Sequence, residues 1–148
     1  MSKICIRRSQ LGEIVTHCRE EFPKEACGIV SGRTNARLDG IVEKVYRTAN
    51  IAKNSYARYL ADPEELGRIF DEIYREKLKI LAIYHSHINY PAYPSKDFDY
   101  ELALDGESAR YPGVFYLIIS LDNLEEPVIK AYTIRKGEIR EEEVEIID

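Results

Sequence analysis

Ile80-Leu81-Ala82-Ile83-Tyr84-His85-Ser86-His87 is the stretch on which the fold turns. Apolar residues at consecutive positions, Ile80 to Tyr84, suit a segment buried on both faces, so a central strand is expected there, delivering His85 at its carboxyl end. Upstream, Asp62-Pro63-Glu64-Glu65 opens a helix with a capping Asp, Pro at the first helical position and acids in the first turn. Leu66, Ile69, Phe70, Ile73, Tyr74 and Leu78 continue that helix on one face. Downstream, Gly113 to Ser120 reads as a strongly apolar strand and Val128 to Arg135 as another, and Gly137 sits in a hairpin turn before Glu138 to Ile147.

Toward the N-terminus, Lys3 to Arg7 predicts a short strand. An amphipathic helix from Ser9 carries Leu11, Ile14, Val15, Cys18 and Phe22 at helical spacing and ends at Pro23; His17 lies on it as a surface or boundary residue without a role. Ala26 to Gly32 is a buried strand, Arg33 to Gly40 a polar turn, Ile41 to Tyr46 a second strand, and Arg58 to Ala61 a further short one. A helix is expected from near Ser95 to about Leu104. Helices interspersed with strands, followed by hairpin-connected strands, specify a single α/β domain over 1–148, a mixed β-sheet packed by helices.

Composition bounds the function. A chain of 148 residues with 45% apolar content is long enough to bury a core. The net charge of -5 argues against nucleic acid as the main partner and favours a protein or peptide. No apolar run approaches the roughly 18 residues of a membrane span, and the N-terminus lacks the apolar core of a secretory signal. Cys5, Cys18 and Cys27 are odd in number and without CxxC spacing, so they read as reduced thiols. A cytoplasmic protein is expected; its oligomeric state stays open.

Chemistry concentrates in YHSHINYPAYPSKDFDY, Tyr84 to Tyr100. In extended backbone, residues two apart face the same side, so His85 and His87 can aim at one point. Two neutral imidazoles and one carboxylate, from Asp97 or Asp99, would leave a fourth tetrahedral position open, the pattern of a catalytic rather than a structural zinc. Such an ion lowers the pKa of a water and polarises a carbonyl. Hydrolysis also needs a general base, and Glu25, at the rim of the apolar strand ACGIV, is the carboxylate that local context selects. Ser95 is either a helix cap or a hydroxyl donor to an oxyanion, and the two roles are compatible. Cys27 is read as a small buried core residue, and Tyr90 and Tyr93 as local packing in the site loop. The acidic end, Glu138 to Glu145, is read as a solvated strand face.

These residues together resemble the JAMM (MPN, Mov34) family of zinc metallopeptidases, whose pattern is an upstream Glu, His-Ser/Thr-His, seven residues, Ser, two residues and Asp. FPKEACGIVSG is similar to the family's glutamate strand, which implies Glu25 as the base; His85-Ser86-His87, then Ile88 to Pro94, then Ser95, match in order. ANIAKNSYARYLADPEEL and VFYLIIS resemble further parts of short prokaryotic members. The family's Asp position holds Phe98 here. One inserted residue after Ser95 would align Phe98-Asp99 with an aromatic-Asp pair of relatives, so Asp99 is the reading and Asp97 the alternate. The resemblance implies a cytidine-deaminase-like architecture and one Zn2+ per chain. It also implies cleavage after the C-terminal Gly-Gly of a ubiquitin-like or sulfur-carrier protein, whose side-chain-free tail can add as a strand to a sheet edge. The alternative is a catalytically silent scaffold that binds such a partner. A zinc deaminase is excluded, because His-x-Glu and Pro-Cys-x-x-Cys are missing.

Overall fold

The computed structural model describes residues 2–148. Its elements are β1 (Lys3–Arg7), α1 (Arg8–Glu21), β2 (Cys27–Thr34), β3 (Gly40–Thr48), α2 (Pro63–Arg75), β4 (Lys79–His87), α3 (Asp99–Leu102), β5 (Leu104–Asp105), β6 (Ser108–Ala109), β7 (Phe115–Ser120), β8 (Val128–Arg135) and β9 (Glu138–Ile147). The sheet is mixed, as expected, with β1 parallel to β3 and β9, β4 parallel to β7, and the other main-sheet pairs antiparallel.

The sheet closes into a barrel in the order β1-β3-β2-β4-β7-β8-β9, with β5 and β6 as a separate hairpin. Closure removes most of the free edge on which a substrate tail was expected to add. β1 and β3 pair only briefly with each other, at Ile4 with Gly40 and Cys5 with Ile41. The closing seam joins β1 to β9 across the whole length of the chain, a pairing that local patterns do not encode.

β4 lies at the centre, antiparallel to β2 on one side and parallel to β7 on the other. Seven consecutive residues, Leu81 to His87, are buried, which accounts for the unbroken apolar run. One core cluster gathers Ile14 and Cys18 of α1 with Ile4, Val30, Tyr84 and Leu117. A second sets Ile29, Ile83 and Tyr116 against Ile73 of α2. Gly28 is required where it stands, because a Cβ there would overlap the Tyr84 ring and the Tyr46 carbonyl. Tyr84 is itself pinned by His17, whose Nδ1 lies 2.6 Å from the phenol oxygen. His17 is therefore a buried core residue, not the surface or boundary residue expected.

Three local expectations change. Arg58 to Ala61 is not a strand; only Asn50 and Ala61 form an isolated bridge. The helix expected from Ser95 is one turn, α3, entered through Phe98 rather than Ser95. The Phe98 ring packs edge-on to Tyr59, and the Asp99 carboxylate turns inward, which leaves no continuous helical face before it. Within the acidic end, Glu142 is buried and accepts from Thr133 Oγ1 at 2.6 Å, so that strand face is not solvated throughout.

Candidate metal centre

The carboxyl end of β4 places His85 and His87 on one side of the strand, and α3 brings Asp99 opposite them. His85 Nε2 lies 3.1 Å from His87 Nε2, and Asp99 Oδ2 lies 3.2 Å from the first and 3.0 Å from the second. All three residues are buried, and they form a group able to hold a metal ion. Asp97, the alternate, is exposed and stands outside this triangle.

The donor set fits a cation. His87 Nδ1 donates to the Pro91 carbonyl at 2.8 Å, which fixes its tautomer and turns the Nε2 lone pair to the centre. That lone pair, the facing His85 nitrogen and a carboxylate oxygen converge on one point, a two-imidazole, one-carboxylate donor set. Zinc bonds of about 2.0–2.2 Å in tetrahedral geometry set neighbouring ligand atoms roughly 3.3 Å apart, close to what is seen here. His85 Nδ1 is buried and has no partner among the described residues, and that ring is held instead by stacking on Tyr59, with centroids 4.3 Å apart at 21°.

The loops around the triad are braced. Ser120 Oγ donates to the Tyr90 carbonyl at 2.5 Å, and Tyr132 OH to the Ala92 carbonyl. Ser95 N–H donates to Asp99 Oδ2 at 3.0 Å, and Asp99 N–H donates to Ser95 Oγ at 2.9 Å. Ser95 therefore caps Asp99 while keeping its hydroxyl proton free for another acceptor. Tyr90 and Tyr93 are exposed; Tyr90 stands edge-on to His87.

Glu25, just before β2, is 3% exposed. Burial pushes its carboxyl up to about 8, with His87 opposing the shift and Asp99 adding to it, so its charge is felt at the triad. Burial also opposes ionisation of Asp99, but the His85 ring, its bonds to both histidines and the Ser95 N–H outweigh that and hold it well below the usual carboxylate range. Burial lowers the His85 pKa despite Asp99. It works the same way on His87, yet the bonds to Asp99 and Pro91 raise that residue. Cys27 is buried against Thr48 Oγ1 at 3.2 Å, as a core residue should be.

Two residues escaped the sequence reading. Tyr59 stacks on His85, and Asn50 uses its full hydrogen-bonding capacity. Asn50 Nδ2 donates to the carbonyls of Glu25 at 2.8 Å and Arg58 at 3.0 Å, while its Oδ1 accepts from Ala52 and Leu60 N–H at 3.0 Å each. The available signal was two asparagines and two tyrosines in a segment with no apolar period, Ala49 to Ala61.

Comparison with known proteins agrees with this geometry. A family model described as "Prokaryotic homologs of the JAB domain" matches residues 7–135. The chain is 31% identical to a desampylase of Haloferax volcanii over 125 residues, 82% of this chain and 83% of that one. It is 39% identical over 90 residues to a probable TtuB-protein conjugate cleaving protease of Thermus thermophilus, a match spanning 61% of this chain and 57% of the relative. The solution structure of a protein from Desulfitobacterium hafniense superposes with a TM-score of 0.83 at 32% identity, covering 100% of this chain and 94% of that one.

Proposed function

The chain belongs to the prokaryotic JAB-domain family, and on that footing we propose that it is a zinc-dependent peptidase acting after the C-terminal Gly-Gly of a ubiquitin-like or sulfur-carrier protein. The observation that carries the proposal is the buried triangle of His85 Nε2, His87 Nε2 and Asp99 Oδ2, each edge 3.0–3.2 Å, with Glu25 coupled to it. The names of the relatives, a desampylase and a conjugate-cleaving protease, support the same substrate class.

Zinc held by His85, His87 and Asp99 would supply Lewis acidity and a water that is nucleophilic near neutral pH. Glu25 takes the proton from that attacking water and hands it to the leaving nitrogen as the C–N bond breaks. Burial raises the proton affinity of its carboxyl, which favours acceptance of that proton. The Ser95 hydroxyl donates to the oxygen that gains charge during attack. Tyr59 and Pro91 keep the two imidazoles from turning. The product carrier ends in a free Gly-Gly carboxylate, and the departing residue or lysine leaves as an amine.

The test is to incubate the zinc-loaded protein with a ubiquitin-like carrier extended by one residue beyond Gly-Gly and weigh the product. Loss of the extension, prevented by a chelator and by Glu25→Gln, supports the proposal. One bound ion per chain with no cleavage of extended or lysine-linked carriers supports the scaffold instead.

A further inference from the structure

Glu25 precedes β2, so no strand ladder holds its backbone in the way that Cys27 pairs with His85. The peptide group joining Glu25 to Ala26 is gripped by two side chains instead. Its N–H donates to Ser86 Oγ at 2.8 Å, and its carbonyl accepts from Asn50 Nδ2 at 2.8 Å. Ser86 N–H donates in turn to the Ala26 carbonyl at 3.1 Å, and Glu25 N–H donates to the Ser55 carbonyl at 2.7 Å. Ser86 is fully buried, and strand alternation turns its side chain away from the face that carries His85 and His87.

We infer that Ser86 and Asn50 are positioning residues that clamp the Glu25–Ala26 peptide from both ends and so fix the base relative to the metal ligands. Ser86 is suited to this because it lies between the two histidines in sequence. The strand that carries the ligands therefore also carries the hydroxyl that locates the base. Asn50 brings the third partner, since the side chain that holds the Glu25 carbonyl also orders the loop from which Tyr59 stacks on His85. Neither residue reaches substrate. A displacement of Glu25 by a fraction of the clamp's length misaligns the proton it must move, a loss that falls on the chemical step.

The inference rests on Glu25 as the base, and its test separates the two. Ser86→Ala is expected to lower kcat on the extended carrier about ten- to a hundred-fold with KM unchanged. One zinc per chain should be retained. Ser86→Thr, which the family's pattern admits, should restore most of the turnover. In the metal-free protein the Ala26 amide should exchange at least about ten-fold faster in Ser86→Ala than in the parent, with β7 amides unaffected. Unchanged Ala26 exchange, unchanged kcat, or zinc lost in step with activity would each overturn the clamp. If Ser86→Ala does not fold, Asn50→Asp keeps both Oδ1 acceptor bonds, removes the donor bonds to the Glu25 and Arg58 carbonyls and should show the same loss in kcat. A Glu25→Gln variant with full turnover would instead defeat the role given to Glu25, and the exchange measurement, which needs no substrate, would still decide the clamp.

Discussion

Ser95 and Asp99 hold each other by a reciprocal pair of hydrogen bonds, N–H to carboxylate at 3.0 Å and N–H to hydroxyl at 2.9 Å. The carboxylate is thereby aimed at the histidines, and the hydroxyl stands beside the ligand it supports. Ser95→Ala keeps the backbone donor to Asp99 but loses the hydroxyl. Turnover is expected to fall about ten- to a thousand-fold, the range for losing one oxyanion donor, with zinc content near one per chain. Steady-state kinetics beside metal analysis checks this; unchanged turnover removes Ser95 from the mechanism.

Asp99→Ala removes one corner of the ligand triangle, and zinc affinity should fall by more than about ten-fold, since even partners of ligands commonly matter that much. Asp97→Ala, at an exposed position, should leave affinity unaltered. Competition against a chromogenic chelator distinguishes the pair. Loss of zinc in Asp97→Ala alone would shift the ligand register by two residues.

Glu25 links stability to pH in the metal-free protein. Its folded pKa of about 8 lies above the ordinary 4.5, so the folded state binds the extra proton between those values. Its contribution is complete below about 4.5 and is lost as pH rises toward and through about 8. Glu25→Gln should therefore gain thermal stability over the parent progressively across that window. Melting curves of chelated protein measure the difference; identical pH slopes for parent and variant would refute it.

Gly28→Ala sets a Cβ against the Tyr84 ring and the Tyr46 carbonyl. Overpacking of this kind costs about 1–3 kcal/mol, and here one neighbour is backbone that cannot turn aside. Urea denaturation should place the variant in that range. A neutral result would mean that β2 and β3 separate more easily than their register suggests.

Much of the site is legible in the sequence. An unbroken apolar run ending in His-x-His announces a central strand with two rings on one side, because alternation is a local rule. Asp99 was harder, since whether it or Asp97 faces the histidines depends on a turn only four residues long. Ser95 looked like the start of a longer helix, but Phe98 packs on Tyr59 and interrupts it. Asn50, Tyr59 and His17 were invisible in their roles because each acts on a residue at least 25 positions away. Barrel closure was hidden for the same reason, β1 meeting β9 with Lys3 opposite Glu143.

β4 hangs between β2 and β7 in buried core, and Ser95 and Pro91 hold Asp99 and His87, so the cradle for the ion is assembled by the protein's own packing and hydrogen bonds. Stripping the ion should therefore leave a dormant protein that regains activity on replenishment, unlike a zinc finger, which collapses when its metal goes. Activity can then track metal supply without any chain being lost to unfolding.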